Sequence, residues 1–175
     1  MRLEERIKKA VRDVPDFPKE GIVFKDITPI LQSPDLCKDI VEALYQQFKD
    51  TPIDCVASIE SRGFLFGMLL AQKLNVSFVP VRKKGKLPYK TKSFSYELEY
   101  GSATIEMHDD AIPNGANVLI HDDLLATGGT AVAAAELVKY TGNVAGFSFL
   151  IDLTFLNGKE KLQNYNRNVQ SIVEY

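Results

Sequence analysis

The sequence predicts an α/β fold with a mainly parallel sheet flanked by helices. Three observations carry this reading: short apolar runs of strand length recur, segments of helical periodicity separate them, and the runs end in polar turns. In such sheets ligands bind beyond the carboxyl ends of the strands, so chemistry is expected just after each one.

Taken in order, Leu3, Ile7, Ala10, Val11 and Val14 repeat at helical spacing and predict a short amphipathic helix ended by Pro15 and Pro18. Residues 17–32 mix Pro, Gly and apolar residues without a period and read as ordered but non-helical. Ser33-Pro34-Asp35 is a helix start, and Leu36, Ile40, Ala43, Leu44 and Phe48 share one face of the helix that follows, to about Lys49. Strands are expected at 55–59, 76–82, 117–121, 144–153 and 171–175, with helices at 62–74 and 129–140. Between the second and third strands, 93–99 and 102–108 alternate with period two around Tyr100-Gly101. They predict an antiparallel excursion, a candidate lid.

The 175 residues suit one domain, 1–175, large enough to bury its own core. The longest apolar run, 64–71, is too short for a membrane span, and charges break up the N-terminus, so a cytoplasmic chain is expected. Cys37 and Cys55 read as reduced, buried thiols. With 21 basic and 23 acidic residues the net charge is −2, which argues against a general nucleic-acid binder. The charge is nevertheless uneven: 82–92 holds six basic residues and no acid.

The strongest local signal is 118–130, Val-Leu-Ile-His-Asp-Asp-Leu-Leu-Ala-Thr-Gly-Gly-Thr. An apolar strand leads to an acid pair, a turn of small residues and a helix. The turn Ala126, Thr127, Gly128, Gly129 and Thr130 leaves backbone N–H groups uncovered at the positive end of that helix, a phosphate site. Asp122 and Asp123 would repel the phosphate, but upstream they can accept hydrogen bonds from an attached sugar. His108 and His121 make no metal spacing and read as structural or solvated.

This segment resembles the phosphoribosyl-pyrophosphate (PRPP) motif of the type I phosphoribosyltransferases. Residues 17–28 (Phe-Pro-Lys-Glu-Gly-Ile-Val-Phe-Lys-Asp-Ile-Thr), 60–64 (Glu-Ser-Arg-Gly-Phe), 81–88 (Val-Arg-Lys-Lys-Gly-Lys-Leu-Pro) and 96–101 (Tyr-Glu-Leu-Glu-Tyr-Gly) are similar to the adenine-using branch of that family. The resemblance runs in order from about Pro15 to Lys161. It implies the family fold, with a small hood (1–34, including the first helix) and a flexible antiparallel lid (83–108). It also implies the family reaction, adenine plus PRPP giving AMP and pyrophosphate. Mg²⁺ would be carried mainly by PRPP, with Asp122 reaching it through water and no direct protein ligand.

The roles it implies follow. Asp122 and Asp123 take the ribose and 126–130 the 5-phosphate. Arg62, Arg82, Lys83 and Lys86 face pyrophosphate, from the same chain or across a dimer interface, where they would meet developing negative charge. Glu99 takes or steadies the proton that the purine loses. Val23, Phe24 and Lys25 read adenine, the backbone contacting its pairing edge and Phe24 its face, and Leu153 closes the other side. Lys25 stands where many relatives have Arg. A homodimer is typical of the family, and an exposed apolar face on the first helix would fit one. Two alternatives remain: transfer to another purine base, and a non-catalytic PRPP-sensing module.

Overall fold

The structure is a computed structural model and describes residues 1–97 and 102–175. Its core is a seven-stranded sheet with spatial order β5-β6-β4-β3-β7-β8-β9. Strands β3 (Cys55–Ile59), β4 (Ser77–Lys83), β7 (Asn117–Leu125), β8 (Asn143–Asp152) and β9 (Val169–Glu174) are mutually parallel. The excursion, β5 (Thr91–Glu97) and β6 (Ser102–His108), is antiparallel. It does not stand apart: β6 pairs with β4 through Arg82 opposite Glu106 and Lys83 opposite Ile105, so the hairpin extends one edge of the sheet.

Helices cover both faces. Alternate residues of the central strands point to opposite sides. Cys55, Ala57, Val118 and Ile120 join the helix α4 (Gly129–Val138), whose Ala131, Ala133, Ala134 and Ala135 are fully or almost fully buried. Val56 and Leu119 join α1 (Leu3–Ala10), α2 (Pro34–Phe48) and α3 (Gly63–Leu74) on the other side. Ser33 caps α2, its Oγ accepting the Leu36 N–H at 3.4 Å. Asn75, in the left-handed conformation, ends α3.

The first helix is shorter than the periodicity predicts. It stops at Ala10, and Arg12–Pro15 is instead strand β1, paired antiparallel with β2 (Val23–Asp26). Val14 falls at helical spacing by coincidence: it lies in β1, opposite Phe24. Residues 28–32 form a 3₁₀ turn, and 158–162 a short helix, α5, that the sequence reading did not include. The apolar side of α1 is also not exposed. Ile7 is fully buried, and Leu3 and Ala10 pack on the same core. The exposed apolar row lies on α3, at Leu65, Met68 and Leu69.

Candidate active site

Strand β7 runs four residues further than predicted, so Asp122 and Asp123 lie near its end rather than after it. Its neighbour β3 pairs with it only as far as His121, which leaves the acids past the end of β3 but still held by β8, with Asp122 opposite Phe149. The Asp122 carboxylate accepts the Asp123 N–H at 2.8 Å. Burial, and then the neighbouring Asp123 carboxyl, push Asp122 well above the usual carboxylate range. Burial raises Asp123 as well, against the opposing pull of Arg62.

Asp122 sits against the start of α3. A Cβ on Gly63 would lie 2.8 Å from its Oδ1 and 3.2 Å from its Cα, so only glycine lets the helix approach this closely. Gly67, one turn on, clears the Ser58 side chain and the ring of His121 in the same way. The Glu60–Ser61 peptide bond ahead of this helix is cis.

Beyond the acids, Gly128 turns the chain with φ +81° and starts α4. A Cβ there would come 2.9 Å from the Gly158 carbonyl, so the first residue of α5 packs directly on the loop. No side chain among the described residues caps α4, and its first turn, Gly129, Thr130, Ala131 and Val132, carries no acid. Its leading N–H groups therefore face outward beside Ala126 and Thr127, an arrangement suited to a phosphate.

Arg62 connects this half of the site to the hood. Its Nε lies 2.9 Å from Asp123 Oδ2, an ion pair in which the Asp123 side chain is 5% exposed. Its Nη1 donates to the Lys25 carbonyl at 3.1 Å, and its guanidinium lies 4.6 Å from the centroid of the Phe24 ring. Phe24 in turn meets Phe17 edge-on at 5.1 Å. The Lys25 carbonyl thus faces away from β1. Because antiparallel strands alternate, the backbone N–H and C=O of Val23 face the same way. The open edge of β2 offers a donor and acceptors, with one lone pair of the Lys25 carbonyl already used. The Lys25 side chain points elsewhere, 2.7 Å from Asp13 Oδ1 and 4.0 Å from the centre of the Tyr175 ring. Leu153 follows β8 as expected; it is 9% exposed and donates its N–H to Leu125 at 2.9 Å.

The basic stretch is ordered by acids that the reading did not assign. Glu60 accepts Arg82 Nε at 2.6 Å and the Lys83 N–H at 2.9 Å, while Arg82 Nη1 donates to the Lys86 carbonyl at 3.0 Å. Arg82 is thus partly neutralised by its own chain. Glu106, 4% exposed, accepts the N–H groups of Gly85 and Leu87 at 3.0 and 3.1 Å and the Thr91 hydroxyl at 3.2 Å. His108 Nε2 lies 2.6 Å from the Pro88 carbonyl. The only sequence signal for Glu106 is an acid inside a strand that faces a run of bases. Glu99, the residue expected to carry the proton chemistry, lies outside the described residues.

Among the described residues no three His, Cys, Asp or Glu side chains gather into a metal cluster. No helix there is long and apolar enough to cross a membrane.

A strand-end acid pair thus leads into an uncapped helix start, with a basic loop beside it. The family described as phosphoribosyl transferase domain matches residues 25–152, and the chain belongs to that family. Within it, the similar proteins are adenine phosphoribosyltransferases. The one from Cytophaga hutchinsonii is 51% identical over 99% of this chain and 96% of its own. A crystal structure of the enzyme from Thermoanaerobacter pseudethanolicus covers 99% of this chain and all of its own, at 48% identity and TM-score 0.95. The Saccharomyces cerevisiae enzyme, complexed with adenine and an imino-altritol bisphosphate, covers 97% of each chain at 44% identity and TM-score 0.89.

Proposed function

We propose that the chain transfers the phosphoribosyl group of PRPP to adenine, giving AMP and pyrophosphate. The observation that carries this is the position of Arg62, whose Nε pairs with Asp123 while its Nη1 and its stack on Phe24 hold the hood. One group thus sets the distance between a sugar-phosphate site and an aromatic base site. A relative from Trypanosoma brucei, 25% identical, is solved in complex with AMP, pyrophosphate and ribose 5-phosphate, ligands of the reaction proposed here.

In this reading Asp122 and Asp123 accept the ribose hydroxyls, and Ala126 to Thr130 hold the 5-phosphate. Arg62, Lys83 and Lys86 face pyrophosphate, with Arg82 contributing what Glu60 leaves of its charge. Mg²⁺ arrives on PRPP as part of the substrate, and Asp122 meets it through water. Phe24 and Leu153 enclose the purine, and Glu99 takes its proton. The enzyme works in the cytoplasm, where Cys37 and Cys55, both unbridged, stay reduced. It pairs as a homodimer through the exposed row on α3.

Incubation with PRPP, Mg²⁺ and each of adenine, guanine and hypoxanthine tests the proposal. Nucleotide forms with adenine alone, because hypoxanthine reverses both contacts on the pairing edge. Product from hypoxanthine at the same rate would assign another base, and no product with any base would leave a PRPP-binding module.

A further inference from the structure

The phosphate loop is touched by a side chain outside it. Alternation along β5 places Phe94 and Tyr96 toward α4 and Ser93, Ser95 and Glu97 toward solvent. Tyr96 is the last inward residue of the strand. Its ring carbons lie 3.7–3.8 Å from where a Cβ on Gly129 would sit, an ordinary packing distance, and its hydroxyl is 3.0 Å from Thr130 Oγ1. We propose that Tyr96 is a positioning residue of the phosphate site, its hydroxyl fixing that of Thr130 toward the phosphate and tying the β5–β6 hairpin to the loaded loop. The proposal rests on the reading of 126–130 as the phosphate site.

Two hydroxyls share two protons, and the bond between them uses one. When Tyr96 donates to Thr130, the Thr130 proton is left for an acceptor at the start of α4. An anion there selects this direction of the bond, and each hydrogen bond of the chain strengthens the next. An empty loop imposes no direction. The strand held by this bond leads within two residues to the segment that carries Glu99, so occupancy of the phosphate site and seating of that strand are linked through one hydroxyl.

Calorimetric titration with ribose 5-phosphate tests this on the wild type, Thr130→Val and Thr130→Ser, each with and without Tyr96→Phe. Tyr96→Phe keeps the ring and loses only the hydroxyl. It weakens ribose 5-phosphate about fivefold to tenfold, the scale of one hydrogen bond. On the Thr130→Val background the same change adds nothing, since the pair acts as a unit. Thr130→Ser, which keeps a hydroxyl, preserves the effect. In steady state the KM for PRPP rises in Tyr96→Phe while the KM for adenine stays within about twofold. Equal affinity of wild type and Tyr96→Phe, or the same loss on both backgrounds, would overturn the proposal. So would a parallel loss of adenine affinity, the mark of general loosening. Failure of the wild type itself to bind ribose 5-phosphate would instead overturn the phosphate-site reading.

Discussion

Arg62 and Asp123 form an ion pair of 2.9 Å between a residue at the start of α3 and one at the end of β7. The Arg62 side chain is 30% exposed and that of Asp123 almost wholly buried. It is the carboxylate, therefore, that depends on the pair. Arg62→Lys keeps the charge but loses the planar fork and the stack on Phe24. We expect unfolding free energy to drop by about 1–3 kcal/mol, between the exposed and buried limits for such pairs. The KM for adenine should rise at least about tenfold. Urea unfolding and initial rates check both, and an unaltered adenine KM would mean that the hood holds its place without Arg62.

Gly63 is a packing requirement with a functional consequence. A methyl group there would press on the Asp122 carboxylate and its backbone. Gly63→Ala is expected to lose about 1–3 kcal/mol of stability through overpacking. It should also raise the KM for PRPP, because the displaced group is the one assigned to ribose. Unchanged PRPP kinetics in a folded variant would separate Asp122 from the sugar.

Lys25 presents its carbonyl to the site and its amine to Asp13 and the Tyr175 ring. Lys25→Arg should therefore leave the adenine KM within about twofold, since the contact is through backbone. Removing Tyr175 should raise it several-fold and leave PRPP alone, because the C-terminal ring steadies β2 from behind. A large effect of Lys25→Arg with none from the truncation would reverse this assignment.

His121 is fully buried, shares a hydrogen bond of 3.1 Å with Ser148, and is held by burial at a pKa of about 3. The unfolded chain binds a proton at this residue below about 6.5 and the folded chain does not, so stability falls as pH drops from 6.5 toward 3. The slope from this group approaches about 1.4 kcal/mol per pH unit. Urea unfolding at pH 7, 6, 5 and 4 should show His121→Val losing stability more slowly with acid than the wild type. Parallel curves would place the acid sensitivity elsewhere.

Glu99→Gln should fold normally and lose most of kcat while binding PRPP with little change, as expected for a group acting only as the reaction proceeds. Near-wild-type turnover would remove Glu99 from the chemistry.

The central strands and the helices between them were legible because short apolar runs bounded by polar turns alternate with longer segments of helical period. The turn at 126–130 could be located because its small residues announce a backbone-lined strand-to-helix turn directly. What remained hidden depends on distance. The strand at 12–15 is created by its pairing with 23–26, and α5 by contact with a loop thirty residues earlier. Arg62 was expected to face pyrophosphate, but no spacing in the chain could show that it also holds Asp123 and the Lys25 carbonyl. Glu106 drew no reading from the sequence, because the turns it supports come together only in the fold.

Gly128 and Gly158 meet with no side chain between them, and the backbone of one would clash with a Cβ on the other. The wall between the 126–130 turn and α5 is thus made of main chain. Single substitutions cannot widen or narrow it by degrees, as they can a wall of side chains. On the proposed assignments, a change of base preference has side chains to work with around Phe24 and Leu153, whereas the grip on the sugar phosphate has none.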